Sequence, residues 1–234
     1  MLKHRIIPVL LTDGNGQCVK PVSFQRPYRK LGTMEQYIRV VENRNVDELI
    51  IIDIEATNQK RKPDFNKLRS YCDNLYCPVT YGGGISTLDD ISMALNNGAD
   101  KVAIRSIQGL IPGAVKKFGA QAIVYVMDWH GEDDPIKWAQ YAEHLGGGEI
   151  LLNDVYKDGT MEGYNLELIK DVSRAVSIPV IALGGCGEPA HMAQALSAGA
   201  SAVAAGSMFL YTDYTPKNCA EYLDKQGFPV RLHE

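Results

Sequence analysis

Two glycine-rich turns carry the clearest chemical signal in the chain. Gly82-Gly83-Gly84 and Gly184-Gly185-Cys186-Gly187 each follow a short run containing β-branched residues. Glycine lets bare backbone N–H groups approach an anion, and the start of a following helix adds a favourable dipole. Ala205-Gly206-Ser207 is a third small-residue turn, with Arg105-Ser106 as its counterpart in the first half of the chain. Asp158-Gly159-Thr160 is a further polar turn. Gly83, Gly84, Arg105, Ser106, Asp158, Gly159, Gly184, Gly185, Gly206 and Ser207 are therefore expected to hold a phosphate-bearing small molecule. An arginine fork such as Arg105 suits a phosphate or a carboxylate. The same glycines also suit tight turns that hold nothing, and the residues alone leave both accounts open.

These turns need a scaffold that brings them to one place. Strand-like runs fall at 5–11, 48–53, 78–81, 101–105, 122–127, 149–153, 179–183 and 202–205. Longer amphipathic runs lie between them, at 88–97, 135–145, 165–176 and 188–198. Eight strands that mostly alternate with helices read as parallel βα units. The expected fold is α/β: a single (β/α)8 TIM barrel domain over residues 1–234. The length suits it, because such barrels run to about 250 residues. In that fold the loops after the seventh and eighth strands form the usual phosphate cradle. A Rossmann-type sheet is the competing arrangement. It requires a Gly-x-Gly-x-x-Gly turn after the first strand, and Asp13-Gly14-Asn15-Gly16 does not continue that way.

The chain also repeats itself at an offset of 101 residues. Glu48-Leu49-Ile50-Ile51 answers Glu149-Ile150-Leu151-Leu152, and Asp53 answers Asp154. Pro78-Val79 answers Pro179-Val180, Gly83-Gly84 answers Gly184-Gly185, and Gly98-Ala99 answers Gly199-Ala200. A fixed internal period marks repeated architecture. Here the period is half a barrel, which sets two anion-type sites facing each other across one mouth. Asp53 and Asp154 suit ligand contacts and loop N–H acceptors equally well.

Composition narrows the partners. The formal net charge is -4 with no long Lys/Arg run, which argues against nucleic acid. Apolar runs are strand-sized, well short of the roughly 20 residues of a membrane helix. The start, Met1-Leu2-Lys3-His4-Arg5, has no signal-peptide pattern, and the expected location is cytoplasmic. Five scattered cysteines (Cys18, Cys72, Cys77, Cys186, Cys219) fit reduced thiols. His4, His130, His144, His191 and His233 make no ligand pattern, so neither metal nor cofactor is expected. Cys186 sits in a glycine turn near a helix start, where a thiol can become acidic, but reads better as a packing residue. Trp129 suits either stacking on a ring or covering a loop.

Together these motifs resemble the cyclase subunit of imidazole glycerol phosphate synthase, from histidine biosynthesis. The resemblance runs over nearly the whole chain. It rests on Arg5-Ile6-Ile7-Pro8-Val9-Leu10, Asp47-Glu48-Leu49, Asp53-Ile54, Gly82-Gly83-Gly84-Ile85, Gly98-Ala99-Asp100-Lys101-Val102, Gly148-Glu149-Ile150-Leu151-Leu152 and Asp158-Gly159-Thr160. It implies a glutaminase subunit docked on the bottom face as a heterodimer, delivering ammonia along the barrel axis. Arg5, Glu48, Lys101 and Glu149 match that family's gate of charges at the strand starts, and Asp100 matches the rim facing the glutaminase. Two acids and two bases there would form a closed, neutralised layer.

The catalytic positions depart from the family. Its chemistry resembles acid/base work by aspartates at the tops of the first and fifth strands, which need opposite protonation tasks. The fifth-strand residue is present as Asp128; the first-strand position is Leu11. The loop at 129–135 is short, Arg105-Ser106 replaces the usual Asn-Thr, and Leu183 replaces a serine. The opening through Leu11 looks more like paralogues in surface-polysaccharide clusters. Those are associated with a sugar amidotransferase and with making acetamidino sugars. Three roles follow: an ammonia-handling partner subunit, a true cyclase with Glu55 as substitute acid, or a non-catalytic scaffold.

Overall fold

The computed structural model describes residues 3–21, 25–44, 46–73, 75–105 and 109–232. Eight strands run parallel and close on themselves: β1 (Arg5–Thr12), β4 (Leu49–Asp53), β5 (Val79–Gly82), β6 (Lys101–Ile104), β7 (Ile123–Trp129), β8 (Glu149–Asp154), β9 (Val180–Leu183) and β10 (Ala202–Ala205). Closure comes from β10 pairing with β1, with Arg5 opposite Ala202 and Pro8 opposite Ala205. The (β/α)8 barrel is thus the architecture of this chain. Two short antiparallel strands, β2 (Gln17–Lys20) and β3 (Arg29–Thr33), extend outward from the end of β1. The sequence reading did not include this hairpin. Its strands are four and five residues long, and β3 is too polar for an apolar period to show.

Side-chain alternation sorts the strands into two cores, because successive residues point to opposite faces. Ile6, Leu10, Leu49, Ile51, Val102, Ile104, Ile150 and Leu152 face outward into the layer shared with the helices. Ile7, Val9, Leu11, Ile50, Ala103, Val124, Leu151, Ile181, Ala202 and Ala204 fill the barrel interior. The helices that cover the outside include α1 (Met34–Glu42), α2 (Phe65–Cys72), α3 (Leu88–Asn96), α4 (Leu110–Phe118), α5 (Pro135–His144), α6 (Leu166–Ala175), α7 (Pro189–Ser197), α8 (Ser207–Tyr211) and α9 (Pro216–Lys225). Thr33, Thr87 and Thr215 close capping boxes at the starts of α1, α3 and α9. Such caps fix where each helix begins and hence where the preceding loop must turn. Among the described residues no helix is long and apolar enough to cross a membrane.

The glycine turns are required by the fold itself. Gly83 and Gly184 both have positive φ, and a Cβ on either would collide with the carbonyl oxygen of Asp53 or Asp154 on the neighbouring strand. The collision partners are themselves related by the 101-residue offset, so the repeat is present as geometry as well as sequence.

Candidate functional site

The barrel floor carries a closed ring of charge. The Arg5 guanidinium lies 2.6 Å from Glu48 and 2.8 Å from Glu149. The Lys101 ammonium lies 3.1 Å from Glu48 and 3.0 Å from Glu149. Each cation touches both acids and each acid touches both cations. Thr80, inside the barrel, donates to Glu48 at 2.7 Å. Glu48 is only 2% exposed, and a buried carboxylate of that kind stands only with such partners. Burial alone would lower the Arg5 pKa, but the charges of Glu149 and Glu48 outweigh it and hold it above the ordinary value. Below the ring, Asp47 accepts the Ile6 N–H at 3.1 Å and Asp100 accepts the Val79 N–H at 2.8 Å. Those two acids therefore fix the starts of β1 and β5.

The mouth at the other end is organised differently. Asp128, at the top of β7, receives Nη1 of Arg105 at 3.1 Å and Nδ2 of Asn153 at 2.9 Å. Arg105, expected as an anion fork, is engaged with a carboxylate of the protein itself. Its side chain is 65% exposed, so the pair sits in water on one side. Leu11 is buried at the top of β1 in the apolar interior cluster, with Leu183 partly buried against the same cluster. Glu55 is buried and engaged by Arg26 Nη2 at 2.7 and 2.5 Å. Ser106 lies outside the described residues.

Several other predicted residues have partners within the protein. Asp53 accepts the Glu55 and Ala56 N–H groups at 3.2 and 3.1 Å and holds both terminal nitrogens of Arg61 at 2.7 Å. Asp154 accepts the Tyr156 and Lys157 N–H groups at 3.0 and 3.2 Å and Asn165 Nδ2 at 2.8 Å. Both are loop acceptors, as local side-chain bonding allows. Asp158 does not present its carboxylate as a free group; Lys20 Nζ binds both its oxygens at 2.9 Å in a buried pair. Lys20 was absent from the sequence reading. It comes from β2, 138 residues from its partner, and no local spacing announces it. A Cβ on Gly206 would sit 3.5 Å from Lys20 Nζ, so that cation stands beside the glycine turn after β10. Gly185 and Gly159 have positive φ, and Gly84 likewise. The Ser207 hydroxyl is buried with no hydrogen-bond partner among the described residues.

Trp129 closes its own loop by donating to the Asp133 carbonyl at 3.3 Å. Cys186 is buried with Sγ 3.6 Å from Met208 Sδ, and burial pushes its thiol up to about 12. It is a packing residue without thiolate character at neutral pH. The cysteines are all unbridged. Among the described residues no group of three or more His, Cys, Asp or Glu side chains is arranged to hold a metal ion.

Comparison with known proteins gives one consistent family. Residues 5–215 match the family described as histidine biosynthesis protein. The chain is 39% identical to a Campylobacter jejuni protein provisionally named imidazole glycerol phosphate synthase subunit hisF2, over 99% of this chain and 100% of that one. It is 36% identical to imidazole glycerol phosphate synthase subunit HisF of Thermococcus onnurineus, over the full length of both. The subunit HisF of Endomicrobium trichonymphae is 39% identical, over 99% of this chain and 96% of that one.

Proposed function

The chain belongs to the histidine biosynthesis protein family, as a barrel of the cyclase-subunit type, and from that premise we propose that it is an ammonia-handling partner subunit. It receives ammonia from a glutaminase subunit on its bottom face and passes it up the barrel. The amide nitrogen then serves glycosyl amidation, the making of acetamidino sugars for surface polysaccharide, with a sugar amidotransferase as a further partner. The observation that carries this reading is the state of the mouth: Leu11 stands where a proton-transferring acid is needed, and Asp128 is held by Arg105 and Asn153. Leucine moves no proton, and a carboxylate already taking two donors is poorly placed to act as a free base.

The floor supports the same reading from the other side. A closed ring of two acids and two bases stands across the floor, and Arg5 and Lys101 are partly exposed, so on this reading one of them moves toward water to let ammonia pass. Neutral ammonia then meets an apolar interior lined by Ile7, Val9, Leu151 and Ile181. Such a lining does not stabilise the protonated form. A phosphate-bearing ligand is assigned to the turns after β9 and β10, where Gly184, Gly185, Gly206 and Ser207 lie beside the Lys20 ammonium. Gly83, Gly84 and Arg105 form the weaker half, since Arg105 must leave Asp128 to bind an anion. The proposed setting is the cytoplasm.

A second reading, a genuine cyclase of histidine biosynthesis, is favoured by two full-length relatives that carry the HisF name. It requires Glu55 or another acid to replace the missing aspartate, and Glu55 must first leave Arg26. Reconstitution separates the two. The chain, its glutaminase and the sugar amidotransferase are combined with glutamine labelled with 15N at the amide. The label is expected in the sugar amidine only when this chain is present. Equal labelling without the chain would overturn the proposal.

A further inference from the structure

We propose that Asn153, set against Asp128, is an ammonia-binding post at the top of the barrel interior, with Oδ1 of Asn153 accepting an N–H of the neutral molecule. This rests on the reading of the chain as an ammonia-handling subunit. Asn153 is 2% exposed, at the mouth end of β8. Its Nδ2 donates to Asp128 Oδ1 at 2.9 Å. A carboxylate only accepts, so the amide has one chemically sensible orientation: nitrogen toward Asp128, oxygen away from it. That oxygen is buried and meets no donor among the described residues. A buried carbonyl without a donor is costly, and nearly all such groups in folded proteins are matched. A Cβ on Gly184 would lie 3.1 Å from this oxygen and 2.5 Å from the Asp154 carbonyl oxygen, so the oxygen lies against the glycine turn after β9.

Position and charge identify the donor. Glu149, Leu151 and Asn153 alternate along β8 on its inward face, so the free oxygen stands above the charged floor on the same strand, about 13 Å further along at 3.3 Å per residue. A molecule that crosses the ring therefore meets Leu151 and then an acceptor. The acceptor is uncharged, and the Asp128 carboxylate beside it is already matched by Arg105 at 3.1 Å. An ammonium ion would face that guanidinium as a like charge, whereas neutral ammonia needs only an acceptor for one N–H and keeps its lone pair. The post thus holds the nitrogen in its nucleophilic form where it leaves the barrel.

The test uses the isolated full-length chain and NMR, with ammonium chloride as the probe and potassium chloride at equal ionic strength as the control. The Asn153 side-chain amide and the Leu183 methyls are followed at pH 7 and pH 8. A saturable shift with ammonium and none with potassium is expected. The total ammonium needed for half-saturation should fall about tenfold between the two pH values, because the neutral fraction rises by that factor. In Asn153→Leu the Leu183 methyls should stay still. No saturable shift, an equal response to potassium, or a midpoint independent of pH would each overturn the post; the wild-type arm decides this even where the variant does not fold. Amide transfer with no Asn153 response would remove the post and leave the conduction reading. A response without amide transfer would do the reverse.

Discussion

The two ends of the barrel use the same currency of paired charges in opposite ways. At the floor, Arg5, Glu48, Lys101 and Glu149 form one closed ring in which every member has two opposite partners. At the mouth the charges form separate pairs: Lys20 with Asp158, Arg26 with Glu55, Arg61 with Asp53 and Arg105 with Asp128. A ring can open at one contact while its members keep another partner. In these pairs neither member has a second opposite charge in contact with it among the described residues. The floor therefore fits the passage proposed above, and the mouth fits a fixed surface on which these four acids are engaged.

The largest expected effect breaks a mouth pair. Lys20→Met strands the Asp158 carboxylate, whose side chain is 7% exposed. Loss of one partner of a buried pair should cost about 3–5 kcal/mol, read as a lower urea midpoint at unchanged slope. Glu48→Leu at the floor should cost less, about 2–3 kcal/mol, because Arg5 and Lys101 keep Glu149 and can reach water. A loss at Glu48 as large as that at Lys20 would mean the ring is as rigid as a pair. Leu11→Asp should cost about 2 kcal/mol by placing a carboxylate in the apolar interior, measured by the same titration. Arg105→Asn should change stability by no more than about 1 kcal/mol, since that pair is largely in water. Its effect should appear instead at the Asp128 carboxylate, whose 13C chemical shift should move when the guanidinium 3.1 Å away is removed.

Much of the fold was legible because a buried parallel strand writes itself as a short apolar run. Residues 202–205 were read with the bounds that β10 has, and the other barrel strands within one or two residues. The half-barrel repeat was legible for a steric reason: Gly83 and Gly184 answer the same carbonyl collision in both halves. The floor ring was legible through the resemblance, since its four charges fall at strand starts. The mouth was not. Lys20 meets Asp158 across 138 residues, and Arg105 meets Asp128 only because β6 and β7 are neighbours in register. The type of Arg105 suggested an external anion, whereas an adjacent carboxylate of the protein claims it. Type and spacing specify what a side chain can bind, and tertiary packing decides which partner reaches it.

The most direct test of the withdrawn acids is turnover of the histidine-pathway intermediate by the purified chain with ammonium as nitrogen source, beside a Leu11→Asp, Arg105→Asn double variant. No turnover by the wild-type chain is expected, with a measurable rate in the double variant, where an acid is restored on β1 and Asp128 is released. Robust turnover by the wild-type chain would contradict the account and point to an acid other than the one Leu11 replaces.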